Sequence, residues 1–370
     1  MARSTAPPAR VVVVQDHLVQ LGGAERSLLP LVRALPGSSV LTAFYVPDAC
    51  YPELRSLDIE TLPIDRIAAL RHRHRLAFPL MAPAFSAHRV DADVVWCATS
   101  GWAHGVRTDG RKIIYFQAPA RWLYDRDDYL AASGSLARTA SSLLRRPLER
   151  WDRAKVRTGH RFLTNSTVMS QRLGALYGTD VEVLHLPQSV DVDGPQEPID
   201  GIDAGFFLVP SRLMSYKRID LVIEAFASLP EHRLVIAGDG PHRAELTALT
   251  GTNVTLVGAA DDTRLRWLYA NSVALVSAAN EPFGITPLEA AAFGKPSLTL
   301  GEGGFIDTVV PGVTGAMFDE LAPAAIAKAV RAFHPDDYAA DDLVAHAARF
   351  SEAAFMDRVA AIVAEEATVR

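Results

Sequence analysis

Two carboxylates, Glu281 and Glu289, frame the stretch Glu281-Pro-Phe-Gly-Ile-Thr-Pro-Leu-Glu289. A Phe-Gly turn follows the first, and an apolar helical stretch, 288–293, begins beside the second. If Thr286 or Pro287 opens that helix, Glu289 falls in its first turn, where the helix dipole favours an anion. Glu281 then sits on the loop that feeds the same helix. Two hydroxyl-binding carboxylates at one helix mouth suit a polyhydroxylated ligand that also carries phosphate. The same spacing also suits a capped surface helix with solvated glutamates.

Three further segments bear on that choice. Ser211-Arg212-Leu-Met-Ser-Tyr-Lys217-Arg218 follows the apolar run Phe206–Pro210 and precedes a helical pattern from Ile219. A guanidinium offers a bidentate fork to phosphate oxygens, and an ammonium offers a mobile point charge. Beside a helix N-terminus the two make a diphosphate site; elsewhere they make surface salt bridges. Gly22-Gly23-Ala24-Glu25 follows the first apolar run and opens a helix, where glycine allows close backbone approach and positive φ. A plain turn uses glycine too. Gly301-Glu-Gly303-Gly304-Phe-Ile-Asp307 reads either as a nest of backbone N–H groups or as a simple loop.

Other motifs point away from their usual chemistry. Gly294-Lys295-Pro296 lacks the glycine spacing and hydroxyl of a phosphate loop, and no G-x-G-x-x-G stands in the first turn. Gly-x-Ser-x-Gly is absent. Asp91-Ala-Asp93 and Asp125-Arg-Asp127 imitate a metal-binding pair, but the first reads as a turn before a strand. No His, Cys and carboxylate set has metal-ligand spacing, so no metal is expected.

The elements that must position these residues alternate. Val11–Val14, Val40–Phe44, Val94–Cys97, Ile113–Phe116 and Arg161–Thr164 read as buried parallel strands with helical patterns between them. The turn-rich run Pro187–Pro198 breaks the pattern. It restarts with Phe206–Pro210, Leu234–Ala237, Val254–Val257, Ala274–Ser277 and Ser297–Leu300. Two successive βα arrays predict an α/β protein of two doubly wound Rossmann-like domains facing across a cleft. The expected boundaries are 1–187, a linker 188–203, 204–350, and a C-terminal helical segment 351–370 that packs on either domain.

Bulk composition agrees. A chain of 370 residues exceeds one ordinary core, and 49% hydrophobic with 22% charged residues is globular. No apolar run approaches the roughly 18 residues of a membrane span. The N-terminal apolar stretch is too short for a secretion signal, and Cys50 and Cys97 alone imply no disulfide framework. A cytoplasmic location is expected. Net charge is −6, but residues 1–187 hold 24 Lys and Arg against 17 Asp and Glu, and the remainder 13 against 26. The basic excess is densest from Arg138 to Arg161, with a smaller cluster at Arg71-His-Arg-His-Arg75. Both read first as solvated helical faces. The functional alternative is contact with an anionic membrane or a lipid-phosphate acceptor. No nucleic-acid motif is present.

The combination of SRLMSYKRIDLVIEAF, VIAGDGP and EPFGITPLEAAAFGKP resembles retaining glycosyltransferases of family 4, which have the glycosyltransferase-B fold. The similarity covers nearly the whole chain and is strongest over 206–316. Within that family the chain is most similar to O-antigen-type mannosyltransferases using GDP-mannose, through its GGAER opening and Pro119-Ala-Arg121-Trp122. The resemblance implies that Arg212 and Lys217 bind the donor diphosphate and stabilise charge on the departing nucleotide. It implies that Glu281 holds sugar hydroxyls, that the backbone at Phe283, Gly284 and Ile285 covers sugar and phosphate, and that Glu289 binds ribose. Gly22 and Gly23 close over the diphosphate in this reading, and Val257 and Gly258 line the base pocket. No cofactor is implied beyond the nucleotide-sugar donor. The acceptor is a glycan, glycolipid or lipid-linked molecule, reached by peripheral contact at the inner membrane face.

Three positions depart from the family pattern. Gln117 stands where relatives commonly have His, and cannot titrate near neutrality. His104 stands where relatives often have Lys; it faces donor or acceptor, or is a satisfied structural histidine. Asp307 replaces a Glu. The expected reaction is retaining, metal-independent transfer of mannose from GDP-mannose, with a UDP- or other NDP-sugar donor as the alternative. A nucleotide-sugar-binding protein without transfer activity and a sugar-nucleotide epimerase are the competing classes.

Overall fold

A computed structural model describes residues 9–72, 77–124, 135–188 and 190–369. The expectations on Asp125-Arg-Asp127 and on residues 73–75 of the basic cluster fall outside them. The chain divides into two compact units. The first holds residues up to Asn165, Met169–Leu184 and those from Phe355 onward; the second holds Ser166–Val168 and His185–Ala354.

The first unit is built on strands β1 (Val11–Gln15), β2 (Ser39–Thr42), β3 (Ile59–Thr61), β4 (Val94–Thr99), β5 (Arg111–Phe116), β6 (Arg161–Thr164) and β7 (Glu182–Val183). All pair in parallel, in the order β3-β2-β1-β4-β5-β6-β7. The central strands are apolar at successive positions because helices cover both faces: β4 is buried at all six residues. The second unit holds β8 (Phe206–Pro210), β9 (Leu234–Ala237), β10 (Val254–Gly258), β11 (Ser272–Ser277), β12 (Ser297–Leu300) and β13 (Gly315–Phe318). They are also parallel, in the order β10-β9-β8-β11-β12-β13. Strand β8 sends Phe207 and Val209 into one apolar cluster and Phe206 and Leu208 into another, the two-residue period of a strand with a core on each face.

Each order reverses direction once, between β1 and β4 and between β8 and β11. Loops leaving the carboxyl ends of such a pair diverge and open a crevice, the expected ligand position in an open α/β sheet. The segment 188–203 belongs to the second unit and is fastened there. Arg266 donates to the carbonyls of Asp191 (2.8 Å) and Pro195 (3.2 Å), and Arg264 pairs with Glu197 at 2.9 Å. The last helix, Glu352–Thr368, is held in the first unit by Arg111–Glu366 (2.7 Å) and Arg161–Glu365 (2.5 Å). In the long helix Ser135–Val156, Arg145, Arg146, Arg150, Arg153 and Arg157 or its immediate extension are exposed, a solvated basic face. Among the described residues no helix is long and apolar enough to cross a membrane.

Candidate functional site

In the second unit the reversal point gathers the expected cations and carboxylates. Strand β8 ends at Pro210, and Arg212 follows at once. The chain then makes a short turn, Ser215–Lys217. Arg218 closes that turn at φ 51°, the left-handed region that costs a non-glycine residue about 1 kcal/mol or more. Its guanidinium answers with Asp220 at 3.3 Å, and the helix Ile219–Ala227 starts immediately. This sharp exit aims Lys217 back over the sheet end. Its ammonium lies 5.2 Å from the Tyr216 ring centroid and contacts the Glu281 carboxylate. Arg212 donates to the Tyr216 hydroxyl at 3.3 Å. Burial, with the like charge of Arg212, pulls the Lys217 ammonium down to about 8; the Glu281 contact works in the opposite direction.

Glu281 arrives on the loop leaving β11, and the helix Thr286–Ala292 begins where the sequence indicates, with Pro287 near its start and Glu289 in its first turn. The glutamates are not the solvated pair of the bland reading. Glu289 is buried, and Tyr269 donates to its Oε2 at 2.7 Å. The Glu281 side chain retains 18% exposure. Val257, at the end of β10, packs on the apolar cluster that contains Tyr269. Gly258 takes φ +79° and its carbonyl accepts from Gly238 N–H at 2.7 Å.

The glycine loop after β12 is not an open nest. The Gly304 N–H donates to the Glu281 carbonyl at 2.7 Å. A Cβ on Gly304 would lie 2.2 Å from the Phe283 Cα, and one on Gly303 would lie 2.5 Å from the Glu281 carbonyl oxygen. Gly284, at φ +79°, has the Phe305 ring where a Cβ would go, at 2.4 Å. These glycines let two loops interlock, and that interlock holds Glu281, Phe283, Gly284 and Ile285 in place. Asp307 accepts from the Thr167 backbone N–H at 2.7 Å, a further tie within the second unit.

In the first unit the outcome is mixed. Gly22 caps the helix Gly23–Ala34, but its φ is −117°, and neither Gly22 nor Gly23 adopts positive φ. Conformational freedom is therefore not why glycine stands here. A Cβ on Gly22 would lie 2.3 Å from Glu25 Oε2, while one on Gly23 meets nothing within 4 Å. The space above Gly22 is filled by the chain's own carboxylate. Gln117 sits at the end of β5, donating to Ser27 Oγ (3.1 Å) and accepting from Ser100 Oγ (3.3 Å). His104 is the satisfied structural histidine. It is buried, with Nδ1 3.3 Å from Thr99 Oγ1 and Nε2 3.1 Å from Asp152, which also accepts from Tyr124 (2.6 Å) and Tyr177 (2.9 Å). Neither ring nitrogen is left to face a ligand.

Sequence reasoning passed over Asp16, His17, Tyr216 and Tyr269. Asp16 is buried just past β1 and accepts from the backbone N–H groups of Ser100 (2.6 Å), Trp102 (3.0 Å) and Ala103 (2.6 Å), bracing the loop after β4. The signal was available: a charged residue immediately past a buried strand, at the reversal point of the sheet. Asp91 and Asp93 form the turn expected of them, with Arg10 N–H donating to Asp93 at 2.8 Å.

Residues 200–355 match the family of glycosyl transferases group 1. D-inositol 3-phosphate glycosyltransferase of Xylanimonas cellulosilytica is 30% identical over 195 residues, covering 45% of this chain and 47% of that one. Glycogen synthase of Pseudomonas aeruginosa is 34% identical over 149 residues, 36% and 29% of the two chains. The chain thus spans less than half the length of these curated relatives. Among solved structures, Anabaena HepE in complex with UDP-glucose matches with a TM-score of 0.70 at 16% identity, over 96% of this chain and 99% of that one. That likeness identifies the two parallel sheets as the glycosyltransferase-B fold.

Proposed function

We propose, from the match of residues 200–355 to the glycosyl transferases group 1 family, that this protein moves a hexosyl group from a nucleoside-diphosphate sugar to an acceptor hydroxyl. The observation that carries this reading is the set Arg212, Lys217 and Glu281 past the carboxyl ends of β8 and β11, with Lys217 in contact with Glu281 and Arg212 near enough to act on the Lys217 charge.

As the bond from the sugar C1 to the phosphate oxygen breaks, negative charge grows on the departing diphosphate. Arg212 and Lys217 stabilise that charge, and their pre-set positions mean little reorganisation is needed. Glu281 accepts hydrogen bonds from sugar hydroxyls, and Glu289, steadied by Tyr269, accepts them from ribose. The interlocked loops at Phe283–Ile285 and Gly303–Gly304 keep Glu281 at its station. Val257 and Gly258 line the base pocket. Transfer with retention and without a metal ion is the form this set of charges suits, the two cations doing what a metal would do for the leaving group.

GDP-mannose is the donor that the motif resemblance favours. A UDP-sugar donor is the second reading, favoured by the UDP-glucose bound to HepE. The acceptor is proposed to be a glycan or lipid-linked hydroxyl, approached by peripheral contact of the exposed basic helix face with an anionic membrane. Calorimetric titration with GDP, UDP and ADP, followed by nucleotide release from GDP-mannose and UDP-glucose, tests the reading. One diphosphate is expected to bind well above the others and its sugar form to turn over. Binding of none of the three refutes the donor site; binding without any turnover refutes transfer.

A further inference from the structure

The loop that carries Glu281 is braced on a second side, by aromatic rings that nothing above uses. Residues 185–354 form the long segment of the second unit, and His185 opens it. The His185 imidazole, half-buried, stacks on the Phe283 ring, with centroids 5.6 Å apart and planes 23° from parallel. Phe350, near the other end of that segment, completes the cluster at 5.3 Å from His185 and 6.4 Å from Phe283. Phe350 is itself fixed. Its carbonyl accepts from the Gln188 N–H at 2.9 Å, and its ring lies 5.3 Å from the imidazole of buried His346. His346 Nε2 stands 3.1 Å from the Thr308 carbonyl oxygen, which ties the cluster to the end of the helix Phe305–Thr308. Rings at these separations attract one another beyond the area they bury, and each has few rotamers to lose.

Phe283 stands two residues after Glu281. The backbone just ahead of it is pinned at successive carbonyls. The Glu281 carbonyl accepts from Gly304 N–H at 2.7 Å, and the Pro282 carbonyl accepts from the Ser166 hydroxyl at 2.5 Å, both within the second unit. Just after it, Gly284 turns the chain at φ +79° and brings no side chain of its own. The buried Phe283 ring is therefore the anchor that ties the two pinned carbonyls to the turn, and His185 is packed on that ring. We propose that His185 is a positioning residue of the donor site: by stacking on Phe283 it holds Glu281 where sugar hydroxyls bind. The inference rests on the transfer reading above. The nucleotide end of the donor is assigned to other elements, Glu289 on its helix and Val257 and Gly258 at the end of β10. Loosening the Phe283 ring should thus act on the sugar and leave the nucleotide in place. A small displacement of a group that orients the reacting sugar is enough to slow transfer many-fold.

The test separates sugar from nucleotide. Nucleotide release from the preferred nucleotide-sugar is measured on the full-length protein, and affinity for the free nucleoside diphosphate is measured by calorimetry. His185→Ala should lower kcat/KM about tenfold, with nucleoside-diphosphate affinity within about twofold of wild type. His185→Phe puts a ring back on Phe283 and should recover kcat/KM to within about threefold of wild type. Phe283→Leu removes the other half of the stack, and adding His185→Ala to it should cost less than about twofold more, because the two act through one contact. His185→Leu, which keeps bulk without a ring, serves where the alanine variant unfolds. A folded His185→Ala or His185→Leu variant with wild-type kcat/KM overturns the assignment alone. So does a loss that falls equally on turnover and on nucleoside-diphosphate affinity, which is the mark of a merely structural residue, or a His185→Phe variant as impaired as His185→Ala. A wild-type protein that binds nucleotide yet never releases it from a sugar donor overturns the transfer reading and this inference together.

Discussion

The titration of Lys217 gives the sharpest test of the donor site. Its ammonium falls to about 8 in the folded protein, against an ordinary 10.5. The charge proposed to stabilise the departing diphosphate is therefore half lost near pH 8 and mostly lost about one unit higher. Because kcat/KM reports the free enzyme, it should fall roughly tenfold per pH unit above about 8. The sign of the linked stability change separates this from unfolding. The unfolded chain keeps the Lys217 proton up to 10.5, so between about 8 and 10.5 it binds more protons than the folded chain. This group then adds stability as pH rises. Activity falls while Lys217 itself makes the fold more stable, and denaturation cannot account for the loss. Lys217→Gln removes one charge-assisted hydrogen bond, worth roughly 1.5–3 kcal/mol, which is about 10- to 150-fold in kcat/KM. Lys217→Arg keeps its charge throughout, so its alkaline limb should vanish although its absolute rate is lower. The assay is nucleotide release from the preferred donor at constant ionic strength. A flat wild-type profile across pH 7–9.5, or a Lys217→Gln variant within about twofold of wild type, refutes the diphosphate assignment.

Other perturbations probe separate parts of the site. Glu281→Gln should slow sugar transfer more than it weakens nucleotide binding, compared by turnover and calorimetry; equal losses would reverse the roles given to the two glutamates. Gly304→Ala places a methyl 2.2 Å from the Phe283 Cα and must force the interlocked loops apart. A loss of about 1–3 kcal/mol is expected by thermal unfolding, together with reduced turnover, and an unchanged Tm would show that the interlock is unimportant. Arg146→Glu with Arg150→Glu should abolish co-sedimentation with anionic vesicles, a contact worth about 1 kcal/mol per basic residue and weakened by salt. Retained binding in the double variant, or no binding by the wild type, discards the membrane-contact proposal.

What could be read from the chain depended on how locally each feature was encoded. Strands such as β4, six residues buried on both faces, declare themselves as unbroken apolar runs. The edge strands β3 and β7 do not: they are three and two residues long, contain Glu60 and Glu182, and exist because a neighbour supplies hydrogen bonds. The same distinction divides the site. Arg212, Lys217, Glu281 and Glu289 were visible because each stands just past a strand or at a helix start, where local pattern and chemistry coincide. The glycines were visible as glycines but not by purpose. Their reason lies in atoms distant in sequence, Phe283 for Gly304 and Phe305 for Gly284. At Gly22 the reason is nearer, three residues on, yet a carboxylate folded back over the helix cap follows from the three-dimensional turn and not from the spacing. Glu25 is the clearest case. In the sequence it is an acidic residue near the start of a helical pattern, a position the helix dipole favours. Its full burial is not legible there, and a buried carboxylate persists only beside a compensating group. Among the described residues the charged side chain beside it is His17, eight residues earlier, with Nδ1 3.8 Å from Oε1. Burial thus separates readings of a charged residue that spacing leaves open, and burial is what local pattern encodes least well for single polar side chains.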